Sequence, residues 1–187
     1  NNEKDKENVI ETTTVSIFWS SFIFLFAAML FRNSLADWSD IDSQYVIYTI
    51  WILALDALVI VPFSKLRAHQ KPMVYAIIKI GNVVVNLSLS VFFLLYLPKI
   101  AQSYPNGYLS SLYVENFQVG YIFIANIIAS LLTFVVLSPN YIYLNWKFDF
   151  GLWKRMMRYG LPIMIAGIAF AINEQFDKIL LGKLLPS

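Results

Sequence analysis

The sequence predicts an all-α, polytopic transmembrane bundle of five spans, and three observations carry that prediction. Apolar residues gather in five runs, at 14–31, 45–63, 73–97, 119–138 and 162–181. Each is close to the roughly 20 residues that a helix rising about 1.5 Å per residue needs to cross a bilayer. Only five of the 26 charged residues fall inside these runs: Asp56, Lys79, Glu174, Asp177 and Lys178. The runs also lack the strict apolar/polar alternation of a membrane β-barrel, leaving helices that satisfy their own backbone hydrogen bonds. The 187 residues are 58% hydrophobic and 14% charged, against about 25% charged in soluble domains, which excludes an ordinary soluble globule. The net charge of +2 gives no electrostatic footprint for nucleic acid.

Taken in order, the first run follows a polar start, NNEKDKENVIE, that has no apolar signal-peptide core. The chain opens on Asn1 rather than Met and stops at LLPS directly after the fifth run, so an internal fragment with further helices is expected. Lys and Arg set the orientation. With the N-terminus cytoplasmic, the inner segments 1–13, 64–72 and 139–161 carry Lys4, Lys6, Lys65, Arg67, Lys71, Lys147, Lys154, Arg155 and Arg158. The outer face carries Arg32, Lys99 and Lys183, beside the acidic Asp37, Asp40 and Asp42. Tyr104, Tyr108, Tyr113 and Phe117 in the outer loop 98–118 read as an interfacial aromatic belt, with sugar stacking as the functional alternative. On the inner side Asp149 is placed to cap a short helix. Leu152, Trp153, Met156 and Met157 share one face of it, and Lys154, Arg155 and Arg158 another. This suits a headgroup-layer helix whose basic residues meet anionic lipid. The expected organisation is therefore 1–148 as part of an N-terminal bundle, 149–161 as an amphipathic linker, and 162–187 as the first helix of a second bundle.

The polar residues inside the runs carry the functional expectation, because a charge at bilayer depth costs several kcal/mol unless paired or hydrated. Asp56 lies seven residues before Phe63, and Lys79 seven after Pro72. At about 1.5 Å per residue both sit roughly 10 Å inside the same hairpin. An Asp56–Lys79 pair is one expectation; Lys79 snorkelling to the surface with Asp56 on a wet cavity is the other. Asn82 and Asn86 follow at i and i+4, with Gly81 beside them, and are read as interhelical glue or cavity lining. Asn126 and Thr133 in the fourth run read as glue. In the fifth run Asn173, Glu174, Asp177 and Lys178 form a polar edge, with Glu174 and Lys178 in the favourable i,i+4 order. That edge is expected either to line a hydrated cavity handling a headgroup, cation or proton, or to form a charge-paired joint between bundles.

The stretch RYGLPIMIAGIAFAINEQFDKILLGKLLP resembles the start of the second bundle in oligosaccharide and polysaccharide-unit flippases of the multidrug/oligosaccharidyl-lipid/polysaccharide exporter superfamily. Tyr159, Gly160, Leu161, Pro162, Asp177, Lys178, Leu181 and Gly182 carry that likeness. LDALVIVPFSKLRAHQKPMVYAIIKIGNVVVNLSLSVFFLL is similar to the fourth and fifth helices of the family, through Asp56, Pro62, Lys65, Leu66 and Arg67. The resemblance implies helices three to seven of a protein with about twelve to fourteen. It also implies two lobes around a cavity that opens alternately to either side of the bacterial inner membrane. The substrate would be an undecaprenyl-diphosphate-linked oligosaccharide, moved from the inner to the outer leaflet for O-antigen, capsule or exopolysaccharide synthesis. Na⁺ or H⁺ coupling without another cofactor is implied, as is cooperation with polysaccharide polymerase and export machinery. The shortage of arginine in the spans departs from what a diphosphate needs, so no residue is assigned to it.

The rival class is a membrane-embedded acyl- or glycosyltransferase. Such enzymes need an interfacial general base or metal-binding carboxylates, and the single histidine, His69, lies in a short basic loop without an HxxxxD partner. The absence of cysteine excludes thiol chemistry. An exporter of some other substrate remains the closer alternative.

Overall fold

In the computed structural model the chain is all-helical. The structure describes residues 2–68, 72–103, 112–142 and 145–184, and among them there is no strand. The helices are α1 (Asn2–Leu30), α2 (Arg32–Ser39), α3 (Ser43–Ala68), α4 (Pro72–Val91), α5 (Leu97–Ser103), α6 (Gln118–Leu137), α7 (Pro139–Ile142) and α8 (Phe150–Leu184). A π-helical turn at Phe92–Tyr96 joins α4 to α5. Five stretches are long and apolar enough to cross a membrane: Asp5–Leu30, Ser43–Arg67, Pro72–Ser103, Gln118–Leu137 and Phe150–Glu174. His69, Lys71, Tyr104 and Tyr108 lie outside the described residues.

The chain divides into two compact units, Thr13–Trp146 and Asn1–Thr12 with Lys147–Ser187. In the first, α6 packs on both α3 and α4, and α2 folds back on α3. The turn between α2 and α3 is set by two aspartates. Asp40 ends α2 in the left-handed region (φ 54°), its N–H donating to the Ala36 carbonyl, and a short polar side chain bears that conformation better than a branched one. Asp42 Oδ1 then accepts the Gln44 N–H at 2.9 Å and opens α3.

Two clusters close the ends of the α3/α4/α6 packing. Near the 69–71 connection Val59, Phe63 and Leu137 are buried, with Leu66, Tyr75, Ile78 and Phe134 against them. At the other end Tyr45, Tyr48, Phe117 and Phe123 pack ring on ring at centroid distances of 5.7–6.5 Å. Phe93 stacks on Tyr121 at 5.5 Å, and Phe117 meets Tyr121 edge-on at 5.2 Å. The Tyr121 hydroxyl accepts the Val114 N–H at 2.6 Å and donates to the Leu112 carbonyl at 2.9 Å, tying down the incoming loop. Phe117, expected in an interfacial aromatic belt, packs here against Tyr45, Tyr48 and Tyr121.

Its ring occupies the space that a Cβ on Gly120 would need. Gly120→Ala therefore forces Phe117 out of the cluster, and overpacking of this kind costs about 1–3 kcal/mol. The expected result is a lower thermal midpoint in detergent. Gly81→Ala, inside α4 with nothing within 4 Å of its Cβ position, is expected to raise the midpoint slightly, since a compatible Gly→Ala change stabilises by about 0.4–1 kcal/mol. Among the described residues no neighbour lies near enough to Gly81 to need a glycine there.

Three prolines interrupt the helices, and each is accommodated differently. Pro98 has no N–H for the Leu94 carbonyl and its ring crowds that group. The helix widens into the π turn just before it, where the Leu97 N–H reaches the Phe92 carbonyl. Pro62 inside α3 likewise leaves the Leu58 carbonyl without its helical donor. The Tyr141 hydroxyl, from α7, donates to that carbonyl instead. Burial pushes the Tyr141 hydroxyl from 10.0 up to about 12.

Pro162 lies inside α8, which runs unbroken from Phe150 to Leu184. A separate linker helix ending before Pro162 was expected. The structure instead joins the amphipathic segment and the fifth span, because a proline removes one helical bond without forcing the chain to turn. At about 1.5 Å per residue the 35 residues make a helix of roughly 52 Å, longer than a hydrocarbon core of about 30 Å. The basic segment can thus lie beyond the core at its membrane edge. Asp149 Oδ1 accepts the Leu152 N–H at 3.0 Å as the cap of this helix, and the Asp149 N–H reaches Thr12 Oγ1 at 3.4 Å within the same unit. Leu152, Trp153 and Met156 are half-buried, while Lys154, Arg155 and Arg158 are exposed.

Candidate functional site

Asp56 on α3, Lys79 and Asn82 on α4, and Asn126, Ser130 and Thr133 on α6 line one cavity, of about 190 Å³, with Val59 and Phe63 as its apolar wall. Helical spacing explains why six polar side chains from three helices converge there. Asn126, Ser130 and Thr133 follow i, i+4, i+7 and so share a face of α6. Lys79 and Asn82, at i and i+3, share a face of α4. The buried Val59/Phe63/Leu137 cluster closes the bundle on one side of them.

Two hydrogen bonds hold the lining. Ser130 Oγ donates to Asp56 Oδ1 at 2.9 Å, joining α6 to α3. Asn82 Nδ2 donates to Thr133 Oγ1 at 2.9 Å, joining α4 to α6, and the Thr133 hydroxyl donates in turn to the Ala129 carbonyl of its own helix at 2.9 Å. Ser130 and Thr133 are buried, Asn82 and Asn126 half-buried, and Asp56 and Lys79 exposed. Lys79 Nζ stands 6.0 Å from the Phe63 ring centroid, at the outer limit of a cation–π contact.

The sequence placed Asp56 and Lys79 at matching depth, and the structure puts both on this cavity. Among the described residues no ion pair joins them: Asp56 accepts from Ser130, and Lys79 faces an aromatic ring. Of the two expectations for Asp56, a position on a cavity is the one realised. Asn82 combines both roles expected of it, bonding across to α6 and lining the space. Asn86 is not part of the site; its Oδ1 accepts Ser90 Oγ at 3.4 Å on its own helix.

Ser130 was missed by sequence reasoning. The signal was present, since it fills the middle position of the stripe on which Asn126 and Thr133 were noticed. A lone serine in a span is common, however, and only the carboxylate opposite gives it a role.

The fifth-span candidates belong to the other unit. Asn173 and Glu174 are exposed on α8. The side chains of Asp177 and Lys178 lie outside the described residues, although the helix continues through both positions. Among the described residues no group of three or more His, Asp or Glu could hold a metal ion. Asp37, Asp40 and Asp42 border a shallow hollow of about 370 Å³ beside the α2–α3 turn, where Asp40 and Asp42 serve the turn itself.

Chemically, the α3/α4/α6 cavity offers one carboxylate, one ammonium, two amides and two hydroxyls in a space holding about six waters at roughly 30 Å³ each. It can bind and orient a polar group at membrane depth. No family model, curated protein or solved structure matches this chain.

Proposed function

We propose that the chain is part of a transporter that moves a lipid-linked oligosaccharide across the bacterial inner membrane, of the multidrug/oligosaccharidyl-lipid/polysaccharide exporter type. The single observation that carries this reading is the cavity lined by Asp56, Lys79 and Asn82 and by the α6 stripe, within helices apolar enough to span the membrane. A charge placed at bilayer depth costs about 2.5–3.5 kcal/mol even on the mildest scale, and here two are kept without pairing to each other. Polar groups that face a cavity inside a bundle mark substrate and ion paths.

On this reading the N-terminus is cytoplasmic and the five spans are helices three to seven of two lobes. The isoprenoid-diphosphate carrier stays with the lipid while the glycan passes between the lobes. Glu174 on α8, and not the cavity carboxylate Asp56, serves the coupling ion, H⁺ or Na⁺. Polymerase and export machinery take up the product in the outer leaflet. No bond is made or broken by the protein.

Loss of the full-length protein is expected to trap the lipid-linked glycan in the inner leaflet while glycosyl transfer continues, measured by leaflet-specific labelling of the glycan. Full-length protein carrying Glu174→Gln is expected to remain inserted and abundant yet restore outer-leaflet glycan several-fold less well than the unaltered protein. Lost glycosyl or acyl transfer in the cells lacking it would instead make the protein an enzyme.

A further inference from the structure

We infer that the α3/α4/α6 cavity is a subsite for one neutral, hydroxyl-bearing ring, and that it discriminates against charged groups of either sign. This rests on the transport reading only in naming the ring as a glycan unit; the chemistry of the site stands on its own residues.

Charge decides the first part. Among the described residues Asp56 and Lys79 are the ionisable groups lining the cavity, and their formal charges cancel. A cation drawn to the Asp56 carboxylate also meets the Lys79 ammonium, and a phosphate drawn to Lys79 also meets Asp56. In each case one attraction is offset by one repulsion, and the desolvation of the incoming ion is left uncompensated. A neutral occupant avoids both penalties. The remaining titratable neighbours are turned to other work: Arg67 stands over the Tyr75 ring at 5.3 Å, and the Tyr75 ring packs edge-on against Phe63 at 5.2 Å.

Hydrogen-bonding capacity decides the second part. After the bonds to Ser130 and Thr133 are made, the lining keeps unspent capacity of both kinds among the described residues. Lys79 Nζ has three donors and no acceptor, and Asn126 makes no hydrogen bond with either end of its amide. Asp56 accepts from Ser130 alone, and Asn82 Oδ1 stays open after Nδ2 is used. Donors and acceptors thus sit on all three helices. A hydroxyl is the common neutral group that both gives and takes a hydrogen bond, and several on one ring can meet several of these partners together. Val59 and Phe63 give the ring carbons an apolar wall.

Size decides the third part. At about 190 Å³ the cavity is smaller than the roughly 300–1,000 Å³ of pockets that enclose drug-sized ligands. It takes one ring and not a chain.

The 187 residues contain no cysteine, so a Val59→Cys substitution in the full-length, bilayer-reconstituted protein, with any cysteine outside these residues replaced by serine, places one thiol on the cavity wall. Its rate of reaction with a small methanethiosulfonate is measured with and without methyl glucoside, methyl galactoside, methyl mannoside or N-acetylglucosamine. At a ligand concentration twice its Kd, occupancy slows labelling about threefold. At least one of these sugars is expected to do so, while NaCl and inorganic phosphate have no effect, and adding Asn126→Ala abolishes the protection. Protection by phosphate makes the cavity an anion site, and protection by Na⁺ over choline a cation site; either overturns the inference. Protection that survives Asn126→Ala, or none by any sugar, also overturns it. Saturation-transfer NMR of the same sugars on the unsubstituted protein provides a second measurement should the thiol prove unreactive: transfer lost in Asn126→Ala supports the subsite, and absent transfer overturns it. The leaflet assay separates the two readings. A protein that restores outer-leaflet glycan without sugar protection loses the subsite, whereas one that shows protection without restoring it loses the transport role.

Discussion

Removing either charge from the cavity alone is expected to destabilise the protein more than removing both. Asp56→Asn leaves Lys79 as an uncompensated ammonium on the shared space, and Lys79→Met leaves the Asp56 carboxylate with only the Ser130 hydroxyl to meet it. Each single change leaves one formal charge on the shared cavity without its opposite, and because both side chains are exposed they interact through an effective dielectric between about 20 and 80. The double variant restores neutrality with side chains of similar bulk. A double-mutant cycle on thermal or denaturant unfolding in detergent is expected to give a coupling of about 0.5–3 kcal/mol favouring the pair. Additivity within about 0.5 kcal/mol would mean that water in the cavity screens the two groups from each other. Transport separates the stability effect from function: the neutral double variant is expected to be abundant yet poor at restoring outer-leaflet glycan, because the carboxylate and ammonium are both lost from the lining.

The elements of that cavity were legible to different degrees. Five apolar runs and their interruptions determine five long helices, since a membrane-spanning backbone has few ways to satisfy itself. Asp56, Lys79, Asn82, Asn126 and Thr133 stood out because polar groups are costly at that depth. What periodicity could not supply is which faces meet. Depth placed Asp56 opposite Lys79, but Ser130 from a third helix takes the carboxylate instead. Spacing along one helix says nothing about a partner 74 residues away. The prolines show the same limit. Pro162 reads as a boundary because the residue before a proline is biased away from helix, yet α8 passes through it. The π turn before Pro98 and the bond from Tyr141 are responses of the surrounding structure to a missing donor, and a sequence displays only the missing donor.

The Tyr141 bond should prove one of the most sensitive single contacts in the unit that contains α3. Tyr141→Phe deletes one oxygen and leaves the Leu58 carbonyl with neither its helical donor, which Pro62 lacks, nor its substitute. An unsatisfied, part-buried carbonyl costs about 1–3 kcal/mol, so the unfolding midpoint is expected to fall accordingly. Pro62→Ala supplies the control. It returns an N–H to the position four residues after Leu58 and lets α3 close its own hydrogen bond. Tyr141→Phe made on that background is then expected to cost far less than on the unaltered chain. Equal losses on both backgrounds would show that the hydroxyl does not act through the carbonyl that Pro62 leaves open, and no loss on either would leave the tyrosine only its ring packing, as in its contact with Phe134 at 6.0 Å. Alkaline pH gives the same bond an independent readout. Burial raises the hydroxyl from 10.0 to about 12, so the protonated form is the one that folding favours. Its stabilisation is complete below pH 10 and is lost as pH climbs through about 12. The stability difference between the unaltered chain and Tyr141→Phe should therefore hold steady up to pH 10 and shrink across that window. A difference that stays flat from pH 10 to about 12 would place the hydroxyl in contact with water, with one pKa folded and unfolded, and remove its part in holding α3 at Pro62.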